Sequence, residues 1–244
     1  MQGQRLPAIL LGGIATAVLA LPTLLAHDPI TTRVTWNREI SRIVQARCVS
    51  CHSPGGRAPM SLAAYEDARP WAKAIKEEVL TRRMPKWHAA RGYGDFSNDP
   101  SLSPFEIALI AAWADGGAPR GTESDAKEGS AATGHNKRAG HIPTRDKDSR
   151  TISVPCGNQS LPHGLLIGVR PELAARASLG ISVLLPDGRR EIIGYIRNFE
   201  PDFATTYWLR VPLDLPPGSR MLAEFAAASD IPACSLEVTI QGPR

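Results

Sequence analysis

The sequence predicts a multidomain chain in which an all-α domain precedes an all-β sandwich, and three observations carry that reading. Apolar residues recur at helical spacing from Thr32 to Pro119; residues 120–150 contain no Phe, Trp or Tyr; beyond them apolar and polar residues alternate. The expected units are an N-terminal segment over 1–26, a helical domain over 27–120, a flexible linker over 121–150 and a β-sandwich over 151–244.

The opening Met1-Gln2-Gly3-Gln4-Arg5, the apolar run Leu6 to Ala26 and the polar His27-Asp28 have the layout of a secretory signal. An uncleaved membrane anchor is the alternative, since a bilayer span takes roughly 20 residues. Either way the chain is expected to be exported, periplasmic or otherwise extracytoplasmic, and in contact with a membrane only if this segment stays uncleaved. The 244 residues carry 28 Lys and Arg against 24 Asp and Glu, a net charge of +4, without a like-charge block. Nucleic-acid binding is not expected from so even a distribution.

In the helical part the first helix is expected from Trp36 to Arg47, with Trp36, Ile40, Ile43 and Val44 on one face, and it leads directly to Cys48. The second begins at Pro70, carries Trp71, Ile75 and Val79 on one stripe and ends where Met84-Pro85 forces an extended exit. The third starts at Ser103-Pro104-Phe105-Glu106, where Ser103 can cap and Glu106 can reciprocate, and stops at Gly116-Gly117. In the β part, strands are expected over Leu165–Val169, Ile181–Leu185, Glu191–Ile196, Thr205–Val211, Met221–Ala226 and Leu236–Ile240. Pro186-Asp187-Gly188 and Pro216-Pro217-Gly218 supply the turns.

Cys48-Val49-Ser50-Cys51-His52 has the C-x-x-C-H spacing of covalent haem c attachment. Two thiols add across the haem vinyl groups, and the next residue is then held beneath the iron as an axial ligand, so the chemistry needs all three residues together. A redox C-x-x-C pair would sit beside a βαβ pattern, and a zinc site would need a second ligand pair; the helical half has neither. For the sixth ligand Met84 is expected, far enough downstream of His52 to reach the opposite haem face and chemically suited to a soft iron site. Met60 is the nearest rival but lies so close behind His52 that it is expected instead to pack against the ring, and His88 is the second rival ligand. With His52 and Met84 on the iron, one covalent haem would pass single electrons between redox protein partners, without catalysis; an open sixth position would make the chain a sensor instead.

These features resemble class I cytochromes c over residues 32–120, so that the α domain is expected to be cytochrome c-like. More narrowly, the run from Arg47 through Cys48, Cys51 and His52 to Met60, with Arg69-Pro70-Trp71-Ala72 and Arg83-Met84-Pro85-Lys86-Trp87, resembles the haem modules attached to bacterial copper type II ascorbate-dependent monooxygenases. That family usually reads Met-Pro-Pro-Trp, from which Lys86 departs. The resemblance suggests Trp71 and Trp87 as lining of a haem pocket. Residues 163–228 resemble the same family's C-terminal copper domain, through Leu184-Leu185-Pro186-Asp187-Gly188, Arg197-Asn198-Phe199-Glu200-Pro201-Asp202-Phe203 and Pro212 to Ser219, which implies a jelly-roll-like sandwich. The family's His-x-His copper pair is replaced here by Arg170-Pro171-Glu172-Leu173. Bound copper and monooxygenase activity are therefore not expected, and a divergent monooxygenase subunit stands as the alternative. His163 is isolated, Met221 is expected to pack in a strand, and Arg170 and Glu172 can pair at the surface. Cys156 and Cys234 are expected to form a disulfide in an oxidising compartment, two buried thiols being the alternative.

Overall fold

The alternating apolar residues of the C-terminal half build a β-sandwich. The computed structural model describes residues 33–132, 148–226 and 233–242, apart from the side chains of 128–132. Eight strands form it: β1 (Ser149–Pro155), β2 (Gly157–Ser160), β3 (Gly164–Leu173), β4 (Ala177–Leu184), β5 (Arg190–Phe199), β6 (Tyr207–Leu215), β7 (Arg220–Phe225) and β8 (Cys234–Gln241). They make two antiparallel four-stranded sheets, ordered β1-β8-β3-β6 and β2-β7-β4-β5. That order is the interleaved pair of Greek keys of a jelly roll. The period of two along each strand aims Leu179, Ile181 and Val183, Met221 and Ala223, and Leu236, Val238 and Ile240 into one core between the sheets. Met221, buried to 1% exposure, is a core residue.

Cys156 lies at the step from β1 to β2, where the chain crosses between sheets, and its disulfide to Cys234 pins that crossing to the start of β8. The bond closes a sequence separation of 78 residues, with a Cα–Cα distance of 5.4 Å. Replacing both cysteines by serine is expected to lower the unfolding free energy by about 2–4 kcal/mol through the longer unfolded loop, read from urea denaturation with and without reductant.

Helices occupy only part of the N-terminal half and are short. A π-helical turn at Trp36–Ile40 runs into α1 (Ser41–Arg47); α2 (Tyr65–Ala68) leads through a 3-10 turn at Arg69–Trp71 into α3 (Ala72–Leu80); α4 (Pro104–Asp115) and α5 (Glu123–Ala132) follow. Ile40, Ile43 and Val44 are buried as their spacing predicts, and Trp36 packs at 5.9 Å from Trp113. The N-terminus of α4 forms the reciprocal cap: Glu106 N donates to Ser103 Oγ (3.1 Å), and Ser103 N donates to Glu106 Oε2 (2.6 Å). The signal or anchor expected over 1–26 lies outside the described residues, as does 133–147 of the expected linker, whose earlier part holds α5. Among the described residues no helix is long and apolar enough to cross a membrane.

The expectation of an all-α, cytochrome c-like domain followed by a separate sandwich does not hold. The chain is mostly β-sheet with few, short helices, and all described residues belong to one compact unit. The physical reason lies between α3 and α4, where Pro85, Gly92, Gly94 and Pro100 suppress helix and the chain runs along the sandwich. Ala89 bridges to Ile196 on β5, and Phe96 bridges to Leu209 on β6. Ala90 N donates to Tyr195 O (2.8 Å), Ser97 N to Trp208 O (2.8 Å) and Arg210 N to Asp95 O (2.9 Å). Since β5 and β6 are the last strands of their sheets, this segment satisfies edge groups that would otherwise face solvent. Gly94 is required there: at φ +81 a Cβ would meet Ile193 O at 2.2 Å. Phe96 joins the sandwich core beside Trp87 and Tyr207, with ring centroids 5.9 and 5.3 Å away.

Candidate functional site

The C-terminus of α1 delivers Cys48, whose backbone N donates to Val44 O (2.9 Å), and the next turn is closed by His52 N donating to Cys48 O (2.9 Å). Cys48, Cys51 and His52 thereby face one cavity of about 310 Å³. The stripe of the 69–80 helical run faces it too: Trp71, 43% exposed, and Ile75 and Val79 form a wall. The chain leaving α3 adds Met84, preceding a cis Pro85, and Met60 and Leu62 enter from the loop after the motif. Both methionines singled out in the sequence therefore reach the cavity that holds the C-x-x-C-H residues.

His52 is oriented by its own loop. Its Nδ1 lies 3.1 Å from Met60 O, and donation to that carbonyl fixes the tautomer in which Nε2 is free to ligate. The same bond ties Met60 to the histidine's side of the cavity and leaves Met84 as the thioether from a separate element. Cys48 and Cys51 are both free thiols. Burial, reinforced by the neighbouring Cys51, pushes the Cys48 thiol up to about 11. A redox C-x-x-C motif depends on the opposite shift, towards an easily formed thiolate. Arg47 at the cavity edge is held by Glu106 Oε1 (3.1 Å) and by Asp99 O (3.2 Å). The mostly apolar lining, paired free thiols, one oriented imidazole and a thioether are the donor set a covalent haem c requires, so the residues fit that group.

Two expectations about this lining change. Trp87 does not line the cavity: it packs in the sandwich core, 4.7 Å from the Tyr207 ring. His88 does not line it either. That side chain is only 8% exposed, packs 5.6 Å from Phe199, and leaves Nδ1 without a partner. Burial holds His88 below its ordinary value of 6.5, against the opposing pull of Glu200. The unfolded chain therefore takes up that proton first: the stability linked to neutral His88 is present above 6.5 and is lost as pH falls from there through the lower value of the folded protein. In a His88→Gln variant the drop in Tm between about pH 7.5 and 5 is expected to be smaller than in the parent protein.

Phe203 and Leu102 also line the cavity. Phe203 ends the 3-10 turn Pro201–Phe203 of the β half, and Lys86 Nζ sits 5.0 Å from its ring. Sequence reasoning missed both, because neither sits in the motif and Phe203 is far from it in the chain. In the sandwich, Arg170 and Glu172 lie on β3 as an ion pair (3.0 Å), and His163 is exposed. Among the described residues no group of three His, Cys, Asp or Glu side chains is placed to hold a metal ion.

No family model matches the chain, and no curated protein matches it. Among solved structures, two pentameric capsid proteins from metagenomic phage sequences are similar. One has 15% identity and a TM-score of 0.24 over 38% of this chain and 68% of its own. The other has 16% identity and a TM-score of 0.25 over 46% and 71%. Likeness at that level carries no argument about this chain. The resemblance to cytochrome c modules and copper domains of ascorbate-dependent monooxygenases does not hold: no model of either family matches, and the mostly β architecture lacks the all-α domain it implied.

Proposed function

We propose that the chain is an exported electron carrier with one covalent haem c on Cys48 and Cys51, ligated by His52 and Met84, and that its β-sandwich serves partner docking. The observation that carries this reading is the convergence of Cys48, Cys51, His52 and Met84 on one apolar cavity, with His52 Nδ1 engaged by Met60 O. When bound, the haem would supply a reversible one-electron couple whose potential is set by ligand identity and burial.

The chain's own residues divide the remaining work. Cys48 and Cys51 anchor, His52 ligates with Nε2, and Trp71, Ile75, Val79, Leu102 and Phe203 exclude water from the cavity. Lys86, paired with Glu200 (3.0 Å), ties the Met84 loop to the end of β5 and so holds the thioether in place. The Cys156–Cys234 disulfide supports an oxidising compartment. The donor and acceptor are proposed to be other redox proteins.

Optical spectra of protein produced with c-type maturation, against its Met84→Ala variant, test the ligand set. The parent is expected to show a weak far-red ferric band that disappears in the variant, together with a lower reduction potential and new carbon monoxide binding by the ferrous form. An unchanged spectrum would remove Met84 from the iron.

A further inference from the structure

A second, larger cavity of about 820 Å³ adjoins the first and shares Met84, Pro85 and Lys86 with it as a common wall. Its lining gathers Arg82, Arg83, Lys86, Arg91, Arg176 and Arg197 around a single carboxylate, Glu200. That carboxylate is already engaged, by Lys86 Nζ at 3.0 Å and by Arg176 at 3.0 Å. Arg83 is likewise paired, with Glu77 and Glu78, and Arg91 donates to Leu102 O. Among the described residues the side chains of Arg82 and Arg197 have neither an ion pair nor a hydrogen bond. Like charges brought together in a concavity repel, and low-dielectric walls focus their field.

Two further features mark this lining. His88, only 8% exposed, lines this cavity with its Nδ1 buried and without a hydrogen-bond partner. Arg82 is held at φ +55 and Asn198 at φ +48, in the left-handed region, and both line the cavity. Arg82 follows the end of α3, where glycine would adopt that conformation without penalty.

We infer that this cavity is a binding site for a small organic polyanion, a molecule carrying two or more carboxylate or phosphate groups. Arg82 and Arg197 are its unpaired charge partners and His88 is a neutral hydrogen-bonding group in its lining. The volume lies within the range of roughly 300–1,000 Å³ typical of small-molecule sites, and guanidinium groups suit two-oxygen anionic acceptors. The site adjoins the cavity of the C-x-x-C-H motif across that shared wall, while Arg82, Arg197 and His88 line only the larger cavity.

Calorimetric titration of the full chain with citrate and, separately, inorganic pyrophosphate at low ionic strength tests this. Saturable binding at one site per chain is expected, weakened about tenfold for each of Arg82→Gln and Arg197→Gln, as loss of a charge-assisted contact implies. Both arginines are exposed, so the variants are expected to keep the parent's circular dichroism and Tm. Absence of saturable heat up to ~10 mM, or equal affinity in the double variant, would overturn the inference. So would binding confined to haem-free protein, because the cations would then belong to the propionates of a bound haem. If citrate alone binds, the ligand is a polycarboxylate; if pyrophosphate alone binds, it is a phosphate compound.

Discussion

Protein carrying Cys48→Ala and Cys51→Ala, produced with c-type maturation, is expected to lose all covalently bound haem, while the single variants keep at most a small, acid-labile or singly linked fraction. The expectation follows from bond counting: each thioether needs one of these two sulfurs, and Cys156 and Cys234 are joined to each other elsewhere in the fold. The fold itself should tolerate the change. Cys51 is exposed and Cys48 half-buried at the end of α1, so truncation of either leaves no large void. Denaturing gel electrophoresis with haem-dependent peroxidase staining reads the covalent fraction, and circular dichroism confirms folding. Retention of stain in the double variant would mean that the haem is held elsewhere.

Phe96→Ala is expected to destabilise the protein by about 3–5 kcal/mol, the ordinary cost of removing a buried phenyl ring. The ring belongs to the sandwich core although its residue lies between two helices, and it touches both Trp87 and Tyr207. Its removal also leaves Tyr207, whose hydroxyl is buried without a hydrogen bond, beside a void. Urea denaturation followed by tryptophan fluorescence should show one cooperative transition shifted to lower urea. A change below about 0.5 kcal/mol would mean that the 85–98 segment lies loosely on the sheets, as surface substitutions typically cost no more.

Much of the secondary structure was legible in the sequence, and the tertiary plan was not. The Ser103/Glu106 cap, the Trp36–Arg47 face and the six strands from β3 to β8 follow from local rules, because each pattern records which side of an element is buried. The strands β1 and β2 escaped because they are mostly exposed. Ser149-Arg150-Thr151 and Gly157-Asn158-Gln159-Ser160 bury too little to leave an apolar signal. The larger error concerned the chain after Met84-Pro85, expected to belong to a separate helical domain but running along the sandwich over residues 85–98. Their attachment to β5 and β6 is made largely by backbone hydrogen bonds, which any residue type can supply and no pattern reveals.

The candidate site shows the same division. The motif identified Cys48, Cys51 and His52, and the chemistry of thioethers pointed to Met60 and Met84; all five meet in one cavity. Phe203 and Leu102, which complete its wall, depend on how the Pro201–Phe203 turn comes to rest against the Met84 loop. No local signal encodes that contact. Trp87 and His88 illustrate the converse: adjacency to Met84 in the chain suggested the pocket, but the extended backbone carries both into the packing around the sandwich.

The central claim is covalent attachment of one haem at Cys48 and Cys51, and intact-mass spectrometry of the full chain produced with c-type maturation tests it most directly. The account predicts a mass greater than the polypeptide's by one haem after acid denaturation, with neither Cys48 nor Cys51 open to alkylation. A mass equal to the bare polypeptide, with both thiols alkylated, would contradict it.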